Sequence, residues 1–306
     1  MLVDKNLLLL QRVEEEMTLL QKAQHPNICQ LFGWTKWRNH MALVLKYEPG
    51  GNLKQLIQNR KINLFPFLLL RIANELASAI AFIHDLFFDQ PIVHGDLKPE
   101  NVLLTSDIHC LLADFGCSEI SIHTGVTTPT VSSAKCQRKN KAFTEIYAAP
   151  ERLKDPSVPL RKSQDTYSFG MLLYMLLTQK PICRNEEELN VLKENIKEGK
   201  TLNTEAIEFM KERFSNAEDQ RIISFLTERM HKCRMYNPNE RPKMNVVSDQ
   251  LQNFFSSFDA DYCGCKLDQV IEKLKAKSIS KSWQFTEPLE QKSFEPQNYT
   301  SGKFVL

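Results

Sequence analysis

Ile92-Val93-His94-Gly95-Asp96-Leu97-Lys98-Pro99-Glu100-Asn101-Val102-Leu103-Leu104 sets an Asp, a Lys and an Asn on one short loop between apolar segments. Leu111-Leu112-Ala113 follows and leads into Asp114-Phe115-Gly116, thirteen residues beyond Asn101. Ala149-Pro150-Glu151 comes further on. Each piece alone is a weak signal; their order and separation carry the information.

Outward from that loop, the chain before it reads as one long helix from Pro66 to Leu86, with Ile72, Leu76, Ile80 and Ile83 as its buried stripe. Asn52 is placed to cap a short helix through Asn59, after the break at Glu48-Pro49-Gly50-Gly51. Ile28–Trp37 and Met41–Tyr47 read as two strands with a turn at 38–40. Arg12–Gln24 reads as a helix with Val13, Met17 and Leu20 on one stripe, closed by His25-Pro26. Beyond the loop a strand is expected around Leu111-Leu112, then a flexible polar segment over 120–143. Asp165–Thr178 is apolar nearly all round, as a central helix should be. Glu186–Glu198, Thr204–Phe214, Glu218–Cys233 and Met244–Phe255 read as amphipathic helices. The composition changes after Ser256. Leu267–Ala276 reads as a short helix, and the Lys-, Ser- and Gln-rich remainder of 256–306 as a disordered tail.

The 306 residues are 42% hydrophobic and 25% charged, the balance of a globular protein, and the net charge of +2 gives no reason to expect a nucleic-acid partner. No membrane span or signal peptide is expected. The eight cysteines are scattered, with Cys263-Gly264-Cys265 the one close pair, and read as free thiols in a reducing compartment.

The loop, the Asp114 triplet and Ala149-Pro150-Glu151 together resemble the signature set of eukaryotic protein kinases, from Val13 to about Leu251. The resemblance implies an α+β, two-lobed fold. Residues 1–48 would form a partial small lobe and 49–255 the mainly helical large lobe. It also implies ATP and Mg²⁺ as cofactors and a protein substrate. Phosphoryl transfer asks the protein for position, charge neutralisation and metal ligands. Asp96 then falls in the catalytic-base position, and Lys98 within reach of the transferred group. Asn101 and Asp114 supply oxygen ligands for Mg²⁺. Glu16 matches the helix glutamate that pairs with a phosphate-holding lysine. Leu45 would guard the adenine pocket, Lys46, Tyr47 and Glu48 form the hinge, and Leu103 its floor. Leu20, Leu31, His94 and Phe115 match the stacked column between lobes, with Asp165 bonding the loop backbone at its base. Gly116 completes the metal-binding triplet, and Glu151 and Arg241 match a buried ion pair. Thr144, three residues before Tyr147, would bridge Asp96 and Lys98 through its hydroxyl. Together with Lys98 it points to Ser/Thr specificity.

Two departures qualify the resemblance. Gly95 stands where most kinases carry an Arg that pairs with a phosphate on the activation segment, so activity should not need phosphorylation read through that position. No glycine-rich loop or Val-Ala-x-Lys strand precedes Glu16, so the first small-lobe strands are expected to be missing. Lys5 stands as a substitute at tighter spacing. Asp114-Phe115-Gly116-Cys117-Ser118-Glu119 and Asp165–Gly170 look most like the Mos family of oocyte kinases. That likeness implies a cytoplasmic, monomeric kinase acting on a MAP kinase kinase during meiosis. The competing expectations are a scaffolding pseudokinase, favoured by the absent glycine loop, and a small-molecule kinase of related fold.

Overall fold

The computed structural model describes residues 16–37, 40–59, 62, 64–86, 92–120, 143–258 and 270–272. The helix expected over Arg12–Gln24 is helical over its described part, residues 16–22 (α1). It buries Met17, Leu19 and Leu20. Two antiparallel strands follow, β1 (Leu31–Trp37) and β2 (His40–Leu45), paired from Leu31↔Leu45 to Trp37↔His40 with a register shift between Leu31 and Gly33. His40, assigned from sequence to the turn, pairs in the strand instead.

The hinge side of the molecule is fixed by α2 (Leu53–Gln58). Asn52 Oδ1 accepts from the Gln55 N–H at 3.0 Å, and Gln55 Oε1 accepts from the Asn52 N–H at 3.1 Å. This reciprocal box satisfies two amides that the helix start would otherwise orphan. Pro66 at the first turn opens α3 (Pro66–Asp85). By length and composition α3 could cross a membrane, yet 78% of its most apolar window is buried inside the fold. It is a core helix packed on α9 (Met244–Phe255).

Four short strands carry the loop found first in the sequence. β3 (Ile92–Val93) pairs with β6 (Glu119–Ile120), and β4 (Val102–Leu104) with β5 (Cys110–Leu112), both antiparallel. The remaining body is helical: α4 (Pro150–Lys154), α5 (Lys162–Thr178), α6 (Glu186–Lys197), α7 (Glu205–Arg213) and α8 (Ala217–Cys233). α5 is buried on nearly every side, including Phe169, Leu173 and Leu176 at 0% exposure, as its all-round apolar character demands. It packs chiefly on α8. Among the described residues the body is mostly helical with few strands, as the resemblance implied for residues 49–255.

The joint between hairpin and body is built by His25-Pro26-Asn27-Ile28. The Leu112 N–H donates to the Asn27 carbonyl (2.8 Å), and the Cys29 N–H to the Leu112 carbonyl (2.9 Å). Asn27 Nδ2 donates to the Cys110 carbonyl, and His25 Nε2 meets Ser78 Oγ on α3. Cys29, Cys110, Cys117, Cys183 and Cys233 form no disulfide. Lys5, most of the 120–143 segment, the Cys263/Cys265 pair and most of 256–306 lie outside the described residues.

Candidate active site

Asp165 organises the centre. It lies in the first turn of α5 at 1% exposure. Oδ2 accepts from the His94 N–H at 2.8 Å, and Oδ1 from the Gly95 N–H at 2.9 Å. His84 Nε2, from the last turn of α3, lies 2.8 Å from Oδ2. Burial alone would raise this carboxyl, but the His84 hydrogen bond and the donors of the loop hold it below the usual range. The loop backbone expected to rest on Asp165 does so, through two consecutive amides.

His94 is wholly buried, and desolvation pulls its pKa down. The neutral ring donates from Nε2 to the Ala113 carbonyl (3.1 Å) and accepts at Nδ1 from the Asp96 N–H (3.3 Å). One imidazole thus ties the Asp96 loop to the residue before Asp114. Phe115 is 2% exposed, with its ring centroid 5.0 Å from that of His94. Leu20 belongs to the same core cluster, and Leu31 packs against it.

Asp96 and Lys98 meet directly, Nζ to Oδ2 at 2.5 Å. Thr144 divides its contacts. Its backbone N–H donates to Asp96 Oδ1 (2.9 Å), while its hydroxyl accepts from Lys98 Nζ (3.1 Å). The bridge expected of the hydroxyl is therefore shared with the main chain. Burial pushes the Asp96 carboxyl up, but the Lys98 and Thr144 hydrogen bonds outweigh it and hold Asp96 below its ordinary value. Lys98 is raised in turn: burial pulls it down, but the hydrogen bond to Asp96 and the charges of Asp96, Asp114 and Glu100 together outweigh that.

Asn101 commits its Nδ2 to the Asp96 carbonyl at 3.0 Å, so Oδ1 is the side-chain atom with capacity for a cation. The Ala113 N–H donates to the Asn101 carbonyl (2.9 Å), which holds this residue against the Asp114 strand end. Asp114 is exposed and left-handed (φ 63°), with Oδ1 accepting from the Gly116 N–H. Glu16 Oε1 accepts from the Phe115 N–H at 3.2 Å. Burial, then the neighbouring Asp114 charge, raises the Glu16 carboxyl. Among the described residues no lysine or arginine pairs with Glu16. The site therefore carries surplus negative charge beside two oxygen donors, an environment that a hard divalent cation relieves.

The expected adenine side is formed by Leu45, which packs against the core, and by Leu103, half-buried between buried Val102 and Leu104. The Lys46 N–H is already spent on the Gln30 carbonyl (2.9 Å). Adenine would therefore have to use other hinge backbone groups. Tyr47 is 76% exposed. Lys46 Nζ lies 3.1 Å from the buried Glu48 Oε1, an ion contact without hydrogen-bond alignment. Further out, Glu151 and Arg241 form a two-pronged pair, both bonds 2.8 Å.

Two residues of this region escaped the sequence reading. Nothing in the sequence singles out His84; only its meeting with Asp165, 81 positions away, gives it a role. Arg152 follows Glu151 directly, and its guanidinium donates to the Gly95 carbonyl. The one available signal was a glycine at 95 with no cation of its own.

The protein kinase domain family matches residues 3–252. The chain belongs to the protein kinase family. It is 33% identical to Integrin-linked protein kinase 1 of Arabidopsis thaliana, over 60% of this chain and 37% of that protein. Serine/threonine-protein kinase 12 of the same organism is 31% identical over 58% of this chain and 36% of its own length. Dual specificity protein kinase shkC of Dictyostelium discoideum is 31% identical over 60% of this chain and 34% of its own. The chain thus spans little more than a third of each of these relatives.

Proposed function

We propose that this chain is a Ser/Thr protein kinase that transfers the γ-phosphoryl group of ATP to a protein hydroxyl. One observation carries the reading: Asp96, Lys98 and Thr144 converge on a single hydrogen-bonded cluster beside Asn101 and Asp114. Mg²⁺-bound ATP supplies the phosphoryl group and its charge neutralisation when present. Asn101 Oδ1 and the Asp114 carboxylate would hold the metal, with Leu103 beneath the base and the 46–48 backbone beside it. Asp96 orients the substrate hydroxyl and takes its proton. Its lowered pKa keeps it ionised and ready to accept. Lys98, held beside it, offsets negative charge as it develops on the transferred group. Thr144 fixes both side chains relative to the segment that receives a protein substrate.

The finer likeness to Mos rests on Cys117-Ser118-Glu119 and the stretch 165–170. With it go a MAP kinase kinase as substrate, a cytoplasmic setting and a monomeric state. The relatives named above are plant and amoebal kinases and lend that assignment nothing. A scaffold without turnover is the second reading, favoured by Glu16, which has no cation partner among the described residues.

Incubating the purified chain with labelled Mg²⁺–ATP and a mixed protein substrate, followed by phosphoamino-acid analysis, decides between them. Label on serine and threonine, reduced at least ~10²-fold by Asp96→Asn, is expected. Absence of transfer by the natural chain sinks the enzyme reading and leaves the scaffold.

A further inference from the structure

Gly95 is clamped at both ends of its residue. Its N–H goes to Asp165 Oδ1, and its carbonyl accepts from Arg152 Nη1. Arg152 stands on α4 and is only 6% exposed. Its guanidinium carbon lies 4.0 Å above the centre of the Phe143 ring. Phe143 immediately precedes Thr144, whose N–H reaches Asp96, and Gly95 immediately precedes Asp96. One side chain therefore ties the residue before Asp96 to the residue before Thr144. A planar guanidinium stacks with its face and donates with its edge at the same time, which an ammonium cannot do.

The rest of this segment is also pinned by unmodified groups. Lys193 of α6 pairs with Glu145 at 2.7 Å. Ser168 Oγ donates to the Tyr147 carbonyl (2.9 Å), and the Tyr147 hydroxyl donates to Met175 Sδ (3.4 Å). A small cavity lined by Gly95, Phe143, Thr144, Ala149, Arg152 and Ser168 lies at the junction. The described contacts that hold residues 143–149 require no phosphate.

We propose that Arg152 is a positioning residue, an internal cation that holds Asp96 and Thr144 in register without a phosphorylated activation segment. The inference rests on the kinase reading for its effect on turnover, but not for its effect on structure.

The test uses the full chain with Arg152→Met, which keeps an apolar stem and removes the donor, and with Phe143→Leu, which removes the stacking ring. Hydrogen exchange is followed over residues 94–98 and 143–149, with α5 and α8 as internal reference. Faster exchange in both segments, with the reference helices unchanged, is expected for either variant. In parallel, kcat should fall roughly tenfold or more while the ATP KM stays within about twofold, the split expected of a lost orienting contact. Phosphatase treatment of the natural chain should leave kcat unchanged.

Unchanged exchange in both segments overturns the proposal, as does an equal gain across the reference helices. Loss of turnover after phosphatase treatment also overturns it. If the natural chain transfers no phosphate at all, the kinase reading fails separately and the exchange result alone decides. If Arg152→Met does not fold, Phe143→Leu decides.

Discussion

Arg241→Ala is the perturbation whose cost the structure defines best. The Arg241 side chain is fully buried, and all five of its N–H groups are placed. Nε donates to the Met235 carbonyl (2.7 Å). Nη1 donates to Glu151 Oε1 and the Ser163 carbonyl, and Nη2 to Glu151 Oε2 and the Tyr236 carbonyl. Removal strands three carbonyls and one carboxylate. Breaking a buried pair from one side costs about 3–5 kcal/mol. Glu151 keeps 23% of its side-chain exposure, so water recovers part of its solvation. The expected loss therefore sits at the low end, about 3 kcal/mol. For a domain of this size that lowers Tm by roughly 6–12 °C. The assay is circular dichroism at the helix band, because the tryptophans fall in the β1–β2 hairpin and the tail rather than in the helical body. Glu151→Gln should lose a comparable amount, since it leaves a buried guanidinium facing a neutral partner. A double variant, Glu151→Leu with Arg241→Met, should regain much of the loss, because no unpaired charge remains. A Tm drop of less than about 2 °C in Arg241→Ala would refute the view that this pair is a closed, buried unit.

Asp165→Asn removes the charge that holds the His94 and Gly95 amides and should cost about 1–3 kcal/mol in thermal melts; an unchanged melt would mean the loop is held by other contacts. The same carboxyl sets a pH dependence. Asp165 and Asp96 are both held below their ordinary value, so the stability they give is complete above the unfolded-chain pKa of about 3.9 and fades as pH falls through the lower folded values. The Tm gap between the natural chain and Asp165→Asn should therefore stay constant from pH 7 to 5 and narrow only below about pH 4. Gly95→Ala should cost about 1–3 kcal/mol: φ is 79°, and a Cβ there would lie 2.7 Å from Leu160 Cδ1 and 3.0 Å from the Cys117 carbonyl oxygen. Gly95→Arg should be no better, and a melt of Gly95→Ala within 1 °C of the natural chain would contradict the strain.

The loop and its neighbours were legible because their chemistry is contiguous. Asp96, Lys98 and Asn101 lie within six residues, and their geometry follows from one turn of 3-10 helix at Pro99–Asn101. The Asn52 cap was legible for the same reason: both halves of the box lie three residues apart. The long helices announced themselves by period. What stayed hidden was pairing at a distance in segments too short to show a period. β3 and β6 have two residues each, and Ile92 finds Ile120 only because the intervening chain folds back. His84 and Arg152 gain their significance from partners dozens of residues away, and Phe143 gains its own through Arg152. The spent Lys46 N–H is a further case, since its partner Gln30 lies across the β1–β2 hairpin.

The three aspartates of the centre form a gradient of access that explains their division of labour in the proposed mechanism. Asp165 is shut away and spends both oxygens on loop amides, so it is unable to receive a ligand and can only set position. Asp96 is nearly buried, with Thr144 on one oxygen and Lys98 on the other, so its charge is kept but its access is narrow. Asp114 is exposed, and its one described hydrogen bond is to an amide two residues on. It forms no ion pair among the described residues: Lys98 feels its charge from a distance, and Glu16 crowds it. The most open of the three is thus also the least compensated, which is the arrangement that an incoming metal ion needs. The same reasoning predicts that Glu16→Gln, by lifting the crowding, weakens Mg²⁺ dependence before it weakens folding. A variant that lost Tm while keeping its Mg²⁺ titration midpoint would place Glu16 in packing instead.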